Sequence, residues 1–550
     1  MSLFPTTKPV ARPRIKVYDL EWHPDSMKLR LAGLFDGEQY QCFLGIPGLM
    51  RAMFSRENRG VWFFAHFGGA ADIAFLQTWF LKNTDYQVEL RFSGSAVVVA
   101  EVSRGKDRWF LVDSYFLMRD SLKNIAPSVG MKKGECSFTA PLAELQAYNE
   151  QDCRILYKAI TSFQAELEAL GGELKPTIAS CAMALYKRRF LKAPVRTADH
   201  LNNVFREAYI ASRVEVFARH LTGGANHYDV NSSFPSSLIG DVPGGPVAFN
   251  RTMPRHDCFM AECTLDVKPQ YLPPLPYRVN DRVFFPVGSW KAWLSGPDVR
   301  FAEETGSLAK VHSVWTFEPR KEPGEYVETI YALKAAAQDP FKVLVYKYLL
   351  NALYGKFGEG AARQTLWINP LASMHSVEGA VMLRPGVWLV TSQHHAAHEH
   401  VALAAHVTAK SRALLTRYLY QAGRVYYCDT DSIVTKAELP TSPRLGDLKA
   451  LPQIQEGYFA APKFYMIDDV VKAKGFPTLG KADFLRLVAG GGQEVQRMAR
   501  VREMHRDNAP EPSKLTYSKH ARLTVDKRRF DSAGESEPYA VTELYAVAAE

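Results

Sequence analysis

KYLLNALYGKFGE, residues 347–359, is the stretch on which the reading of this chain turns. Wound as a helix, it puts Lys347, Asn351 and Tyr354 at i, i+4 and i+7, on one face. That face carries a cation, an amide and an aromatic ring, groups against which a triphosphate and a base can dock. An amphipathic helix with an incidental Lys and Asn has no need of Tyr-Gly at its end. Two acidic segments lie outward from it. Upstream, HYDVNSSFPSSL (227–238) reads as a short strand ending at Asp229, with Pro235 suited to the first turn of a following helix. Downstream, GRVYYCDTDSIVT (423–435) reads as strand, tight turn, strand, and Asp429 and Asp431, two apart, face the same way. Either acidic segment alone is most often a surface turn. Nucleotidyl transfer, however, needs two divalent cations to activate a hydroxyl and to neutralise a leaving pyrophosphate. Magnesium takes hard oxygen ligands and keeps several waters, so a few carboxylates at strand ends suffice.

A second acidic set precedes the first. VYDLEW (17–22) places Asp19 and Glu21 on one face of a strand. AHFGGAADIAFL (65–76) places Asp72 at a helix start, and AYNEQDCRIL (147–156) places Tyr148 and Asp152 four apart on a helix face. Around them the strand-like runs IKVYDLEW and RWFLVDSYF enclose the helical ADIAFLQTWFLKN. Residues 141–168 read as one long amphipathic helix ending near Gly171-Gly172. This is an α/β pattern. Residues 241–290, rich in Pro and Gly with short β-like runs, read as a mostly β insertion. Residues 326–358 are helical, residues 360–397 lose periodicity as a second insertion would, and VALAAHVTAKSRALLTRYLYQAG is a helix leading into the acidic hairpin.

Composition bounds these readings. A chain of 550 residues is too long for one core and predicts about three or four domains. It is 47% apolar and 23% charged, which excludes a disordered or fibrous protein. The net charge is +9, and residues 481–530 hold 12 Lys/Arg against 6 Asp/Glu, a surplus suited to a polyanion or to a solvated face. Seven cysteines without a CxxC pair indicate neither a disulfide framework nor a zinc site. The N-terminus lacks an apolar signal region and no run of 18 apolar residues occurs, so a cytoplasmic protein with no membrane partner is expected.

DVNSSFPS, KYLLNALYGKFGE and YCDTDS, in this order, resemble the palm and fingers motifs of family B DNA polymerases, DxxSLYPS, KxxxNSxYG and YxDTDS. The resemblance implies that Asp229 and Asp431 are the principal metal ligands, with the backbone of Val230 beside them and Asp429 in support. Lys347 then meets the incoming triphosphate, while Asn351 and Tyr354 line the nascent base pair. Phe234 stands where the family has Tyr; its ring still excludes a ribose 2′-hydroxyl. The implied cofactor is Mg2+, with Mn2+ as an alternative, two ions per active site.

The earlier acids resemble the DxE, second and YxxxD motifs of the family's 3′–5′ exonuclease. Asp19, Glu21, Asp72 and Asp152 would bind metal, and Tyr148 would orient water. Phe67 replaces the family's Asn, which implies a weaker grip on a frayed end. DSLKNI resembles the strand-binding motif, with Ser121 and Leu122 as DNA contacts, although Ser121 also suits a helix cap. AYIASRVEVF resembles the exonuclease–palm linker of protein-primed members, with Tyr209 and Arg213 at template phosphates; Ala211-Ser212 replace its glycines. APKFY resembles the primer-contacting KxY motif, giving Lys463 and Tyr465. In KHARLTVDKRRF, Lys519, Arg522, Lys527, Arg528 and Arg529 are candidates to grip a duplex backbone.

The fold so implied is α/β and α+β multidomain, an RNase H-like 3′–5′ exonuclease followed by a right-hand palm/fingers/thumb polymerase with two insertions. The boundaries are exonuclease 1–172, palm 173–242, insertion one 243–325, fingers 326–360, insertion two 361–397, palm 398–480 and thumb 481–550. Insertions at these two places resemble those of protein-primed phage and linear-plasmid polymerases, where one contacts the priming protein and the other supports processivity and strand displacement. The partners implied are DNA template and primer, dNTPs and a terminal priming protein, with the chain itself monomeric. A DNA-primed or primer-independent polymerase, and a nuclease with a dead palm, are the competing readings.

Overall fold

The computed structural model describes residues 12–194, 199–360, 362–521 and 527–549. Its N-terminal unit is built on a mixed sheet. Strands Ile15–His23, Trp62–Ala65 and Asp107–Asp113 run parallel at its centre, and the remaining neighbours pair antiparallel. The central strands are apolar on both faces, as strands covered on both sides must be: Phe63, Phe64, Leu111 and Val112 are all buried. The helix Asp72–Lys82 is among the elements packed on the sheet, and the helix Leu142–Ala169 packs against its first two strands.

The long helix does more than cover the sheet. Its buried face (Leu156, Ile160, Phe163) belongs to the same core as Val345, Leu349 and Leu353 of the helix Pro340–Phe357. The exonuclease-like unit and the fingers thus share one apolar interior. Each large side chain so buried contributes about 1.5–3 kcal/mol. Asp339 caps the fingers helix by accepting from the amide of Phe341, and Pro340 sits in its first turn.

The palm is a five-stranded antiparallel sheet in the order Leu448–Ile454, Ala225–Val230, Ser432–Thr435, Tyr427–Asp429, Val214–Val216. The helix Val401–Ala422 supports it, with Leu415 and Leu419 packed against Tyr228, Val230 and Ile433. Insertion one is β-rich, a four-stranded sheet plus the hairpin Tyr277–Val279 and Arg282–Phe284.

Insertion two does not stand apart from the other units. Strands Ala362–Ile368, Ala380–Arg384 and Val387–Gln393 join the N-terminal sheet and make it ten strands wide, through the pairing of residues 365–368 with 88–91. Local periodicity cannot reveal such long-range pairing.

The segment read as thumb divides. The hairpin Gly492–Met498 and Lys514–His520, with the helix Val501–Arg506 between its strands, reaches the N-terminal unit. There Arg500 donates to the Ala70 carbonyl (3.1 Å), Gln77 to the Pro510 carbonyl (3.0 Å), and Lys514 pairs with Asp25 (2.8 Å). Arg502 binds the Gly94 carbonyl at 2.5 Å and also reaches Gln364 of insertion two. The remainder of the segment returns to the palm and to the hairpin of insertion one, where Leu544 and Ala548 pack against Val279 and Phe284.

Candidate active site

Three carboxylates meet on the palm because antiparallel pairing brings their strands edge to edge. Asp229 lies opposite Ser432 on one side and Lys449 on the other. Asp429 ends the next strand, also opposite Ser432. Thr430 turns the chain at φ 64°, a left-handed conformation unusual for a β-branched residue. Two contacts hold it there: its amide donates to the Arg213 carbonyl (2.8 Å), and Ser212 Oγ donates to the Thr430 carbonyl (2.7 Å). Such over-determined strain is typical of functional turns.

The electrostatics bear out the convergence. Asp431 is pushed up to about 7, first by burial and then by the charges of Asp229 and Asp429. Lysines offset the other two: Lys449 Nζ lies 2.6 Å from Asp229 Oδ2, and Lys463 Nζ lies 2.5 Å from Asp429 Oδ1. Thr430 Oγ1 also donates to Asp429 Oδ1 (2.9 Å).

The fingers helix closes over this group. Tyr354 stacks on Phe234 with ring centroids 4.4 Å apart and planes at 22°. Its phenol is raised by burial, by Tyr209 and by the charge of Asp431. Lys347 and Asn351 are exposed on the same helix, and Asn351 Nδ2 donates to the Lys347 carbonyl (3.0 Å). Lys334 of the preceding helix, Glu322–Ala336, is lowered by burial and by the charges of Lys347 and Lys449. Lys347 and Lys449 are therefore both near enough to act on the charge of Lys334. Lys334 and Lys449 escaped sequence reading because neither lies in a recognisable pattern.

The second acidic set also assembles. Asp19, Glu21 and Asp72 are all raised, by burial first and then, for Asp19 and Asp72, by neighbouring carboxylates; Asp152 is raised by burial although Lys133 opposes it. Lys133 is paired with Asp152 and donates to Tyr148 Oη (2.7 Å). Asn149, fully buried, donates to Asp19 Oδ2 (2.8 Å), and its carbonyl oxygen accepts from Tyr40 (2.9 Å). Gly33 leaves room for it, since a Cβ there would stand 1.9 Å from Asn149 Oδ1. Asp113, raised to about 6 by burial, accepts from the Gly69 amide (3.2 Å) and raises Asp72 in turn. Asn149 lies inside the motif that supplies Tyr148 and Asp152, which was its one legible signal; Lys133 and Asp113 had none. Phe67 adopts φ 61° and stacks on Tyr115 (4.3 Å), leaving it partly exposed on this face.

Among the described residues no three His, Cys, Asp or Glu side chains are already drawn together at metal-ligating spacing. Both acid sets nonetheless fit divalent cations. Their donors are all carboxylate oxygens, their charges raise one another, lysines stand as provisional counter-charges, and Asp152 Oδ1 is buried without a hydrogen-bond partner.

Of the expected DNA contacts, Arg213, Arg528 and Leu122 are buried. Arg213 is fully buried, paired to the equally buried Glu215 (2.6 Å), donating to the Pro273 carbonyl (2.9 Å) and lying 4.1 Å from the Phe285 ring; it braces the palm and cannot reach a phosphate. Arg528 is likewise fully buried, over Phe217 and Tyr271, and donates to the Tyr271 carbonyl (2.9 Å). Leu122 is buried in the core, while the exposed Ser121 caps its short helix through the Asn124 amide (3.3 Å). Lys527 is half-buried near Glu215 and Asp429, with its ammonium lowered by burial. Arg522 lies outside the described residues. Lys519 donates to the Gly475 carbonyl (2.5 Å), Arg529 is exposed and pairs with Glu543 (3.0 Å), Tyr209 is half-buried against the fingers, and Tyr465 packs against Tyr427 (5.0 Å). Val230 is buried, and its amide donates to the Asp431 carbonyl (2.8 Å).

A palm with three aspartates at its strand ends, a fingers helix above them and an α/β unit in front make up a right-hand fold with an appended nuclease-like domain. Residues 137–370 match the family described as DNA polymerase type B, organellar and viral. A protein named probable DNA polymerase from Podospora anserina is 27% identical over 374 residues, covering 54% of this chain and 30% of that protein. The DNA-directed DNA polymerase of Enterobacteria phage PRD1 is 24% identical over 436 residues, 74% of this chain and 72% of the phage protein. Among solved structures, phi29 DNA polymerase superposes with a TM-score of 0.74 at 17% identity, over 92% of this chain and 100% of that one. Its ternary complex with primer-template DNA and incoming nucleotides gives 0.72. The match spans about a third of the length of the fungal relatives, 30%, 31% and 37% for three of them. The likeness to type B DNA polymerases thus rests on a match to residues 137–370 and on relatives 24–27% identical.

Proposed function

We propose that this chain is a template-directed DNA polymerase with a 3′–5′ proofreading exonuclease. The observation that carries the reading is the meeting of Asp229, Asp429 and Asp431 beneath the Tyr354–Phe234 stack. Asp229 and Asp431, with the backbone of Val230, hold divalent cations, Mg2+ or Mn2+, two per site, with Asp429 in support. Bound there, such cations would supply activation of the primer hydroxyl and charge neutralisation of the leaving pyrophosphate. Lys347 orients the triphosphate, Asn351 and Tyr354 line the nascent pair, and the Phe234 ring excludes a 2′-hydroxyl. Lys463 and Tyr465 stand beside the primer terminus. In the nuclease, Asp19, Glu21, Asp72 and Asp152 hold cations while Tyr148, fixed by Lys133, orients water; Ser121 and Phe67 line the entry of the single strand.

Priming by a terminal protein is the favoured mode. Its support is the pair of insertions flanking the fingers, 243–325 and 361–397, together with similarity to a phage polymerase across most of both chains. The chain would act as a monomer in the cytoplasm of a bacterium hosting a phage or linear element. No helix among the described residues is long and apolar enough to cross a membrane.

Primer extension with Mg2+ and dNTPs tests the polymerase. Asp229→Ala and Asp431→Ala should each abolish it, and extension by either variant refutes the assignment. Asp19→Ala should lose single-strand degradation and keep synthesis. For priming, labelled dNTP should become covalently attached to a small protein encoded beside this gene; robust synthesis on bare single strands without such a product favours primer-independent initiation.

A further inference from the structure

Lys449 lies on the palm strand directly across from Asp229, and its ammonium sits 2.6 Å from that carboxylate. The pair is not buried: the lysine side chain is 46% exposed, so the contact is cheap to break. The same ammonium, like that of Lys347, lies near enough to Lys334 of the preceding helix to act on its charge. Ammonium groups near one another repel, a cost that a polyanion bound among them offsets.

Resting on the polymerase reading above, we propose that Lys449 is a two-position residue: it holds Asp229 as a counter-charge in the free enzyme, then releases it and binds the triphosphate of the incoming nucleotide. Lys449 thereby keeps Asp229 aligned while the site is empty and contributes the palm side of a cradle whose fingers side is Lys334 and Lys347. The exchange is one of ion pairs only. The Lys449–Asp229 contact breaks, Lys449 gains phosphate oxygens, and Asp229 is freed for a cation.

Two affinities should then move in opposite directions. In a chain carrying Asp19→Ala and Asp72→Ala, so that only the palm site reports, Mn2+ binding without nucleotide is followed by electron paramagnetic resonance. Lys449→Met should bind Mn2+ about two- to fivefold tighter, because the competing ammonium is gone. Binding of dNTP to the enzyme on primed template, by calorimetry in Ca2+, should weaken about tenfold, and KM should rise more than kcat falls. Lys449→Arg should keep both values near wild type. If both affinities fall together, or neither moves, Lys449 merely supports Asp229 and the proposal is overturned. Lys449→Gln serves if the Met variant melts abnormally. A wild-type chain that neither binds dNTP nor extends a primer overturns the polymerase reading itself, a result distinct from the first.

Discussion

On the proposed reading, metal binding at Asp431 is coupled to protons in a way that can be measured. Its carboxyl is pushed up to about 7 by burial and by Asp229 and Asp429, and a cation must displace any proton it carries. By simple titration the ionised fraction is about nine-tenths at pH 8, about half at pH 7 and about a tenth at pH 6. Metal affinity at the palm should therefore fall about tenfold from pH 8 to pH 6, or about 1.4 kcal/mol. Free Mn2+ can be counted by electron paramagnetic resonance in the Asp19→Ala, Asp72→Ala background, with Asp431→Asn alongside. The same shift bears on stability. Asp431 is raised in the fold, so the folded state binds more protons than the unfolded between about pH 4 and pH 7, and metal-free stability falls as pH rises through that window. The ceiling is about 4 kcal/mol, and partial solvent access should reduce it to about 2 kcal/mol. Thermal melts of wild type minus Asp431→Asn should display this slope, and Mg2+ should flatten it. Affinity unchanged between pH 6 and pH 8, or an Asp431→Asn chain with the same pH dependence, refutes the reasoning.

Three further outcomes follow from the packing. Arg213→Met should destabilise the fold by about 3–5 kcal/mol in urea, because Glu215 is left buried and unpaired; a chain of normal stability with weakened DNA binding would restore the phosphate-contact reading. Gly33→Ala should cost about 1–3 kcal/mol and remove most nuclease activity, since the added methyl displaces Asn149 from Asp19; full activity on a labelled single strand counts against that role for Asn149. Lys133→Met should slow degradation about ten- to a hundredfold while leaving primer extension unchanged, and an equal loss of both activities would show that the lysine acts on the fold instead.

The strand-end aspartates, the fingers face and the nuclease acids were legible because each depends on short-range geometry: a period of two on a strand, a period near four on a helix, a turn between strands. What escaped was supplied from elsewhere in the fold. Lys449 faces Asp229 only through sheet register, Asn149 reaches Asp19 across 130 positions of chain, and Lys334 joins Lys347 only when two helices pack. Arg213 and Arg528 were misread for the opposite reason. A charge in a sequence suggests solvent or a polyanion, but both guanidiniums lie over aromatic rings in the interior, one of them against a buried carboxylate. The basic surplus of 481–530 is similarly drawn down by Arg497–Glu503, Lys514–Asp25 and the carbonyls that Arg500 and Arg502 hold.

The ten-strand sheet carries a practical consequence for anyone dissecting the molecule. Strand Gln87–Ser93 is flanked on one side by its own unit and on the other by a segment that arrives after more than half the chain. A nuclease fragment cut at the long helix, or an enzyme with residues 361–397 excised, would present that strand's amides and carbonyls bare. Bare strand edges recruit one another. Poor solubility of such pieces would then report a missing neighbour, and reduced strand displacement by a loop deletion would have to be separated from self-association before it could be assigned to contact with DNA.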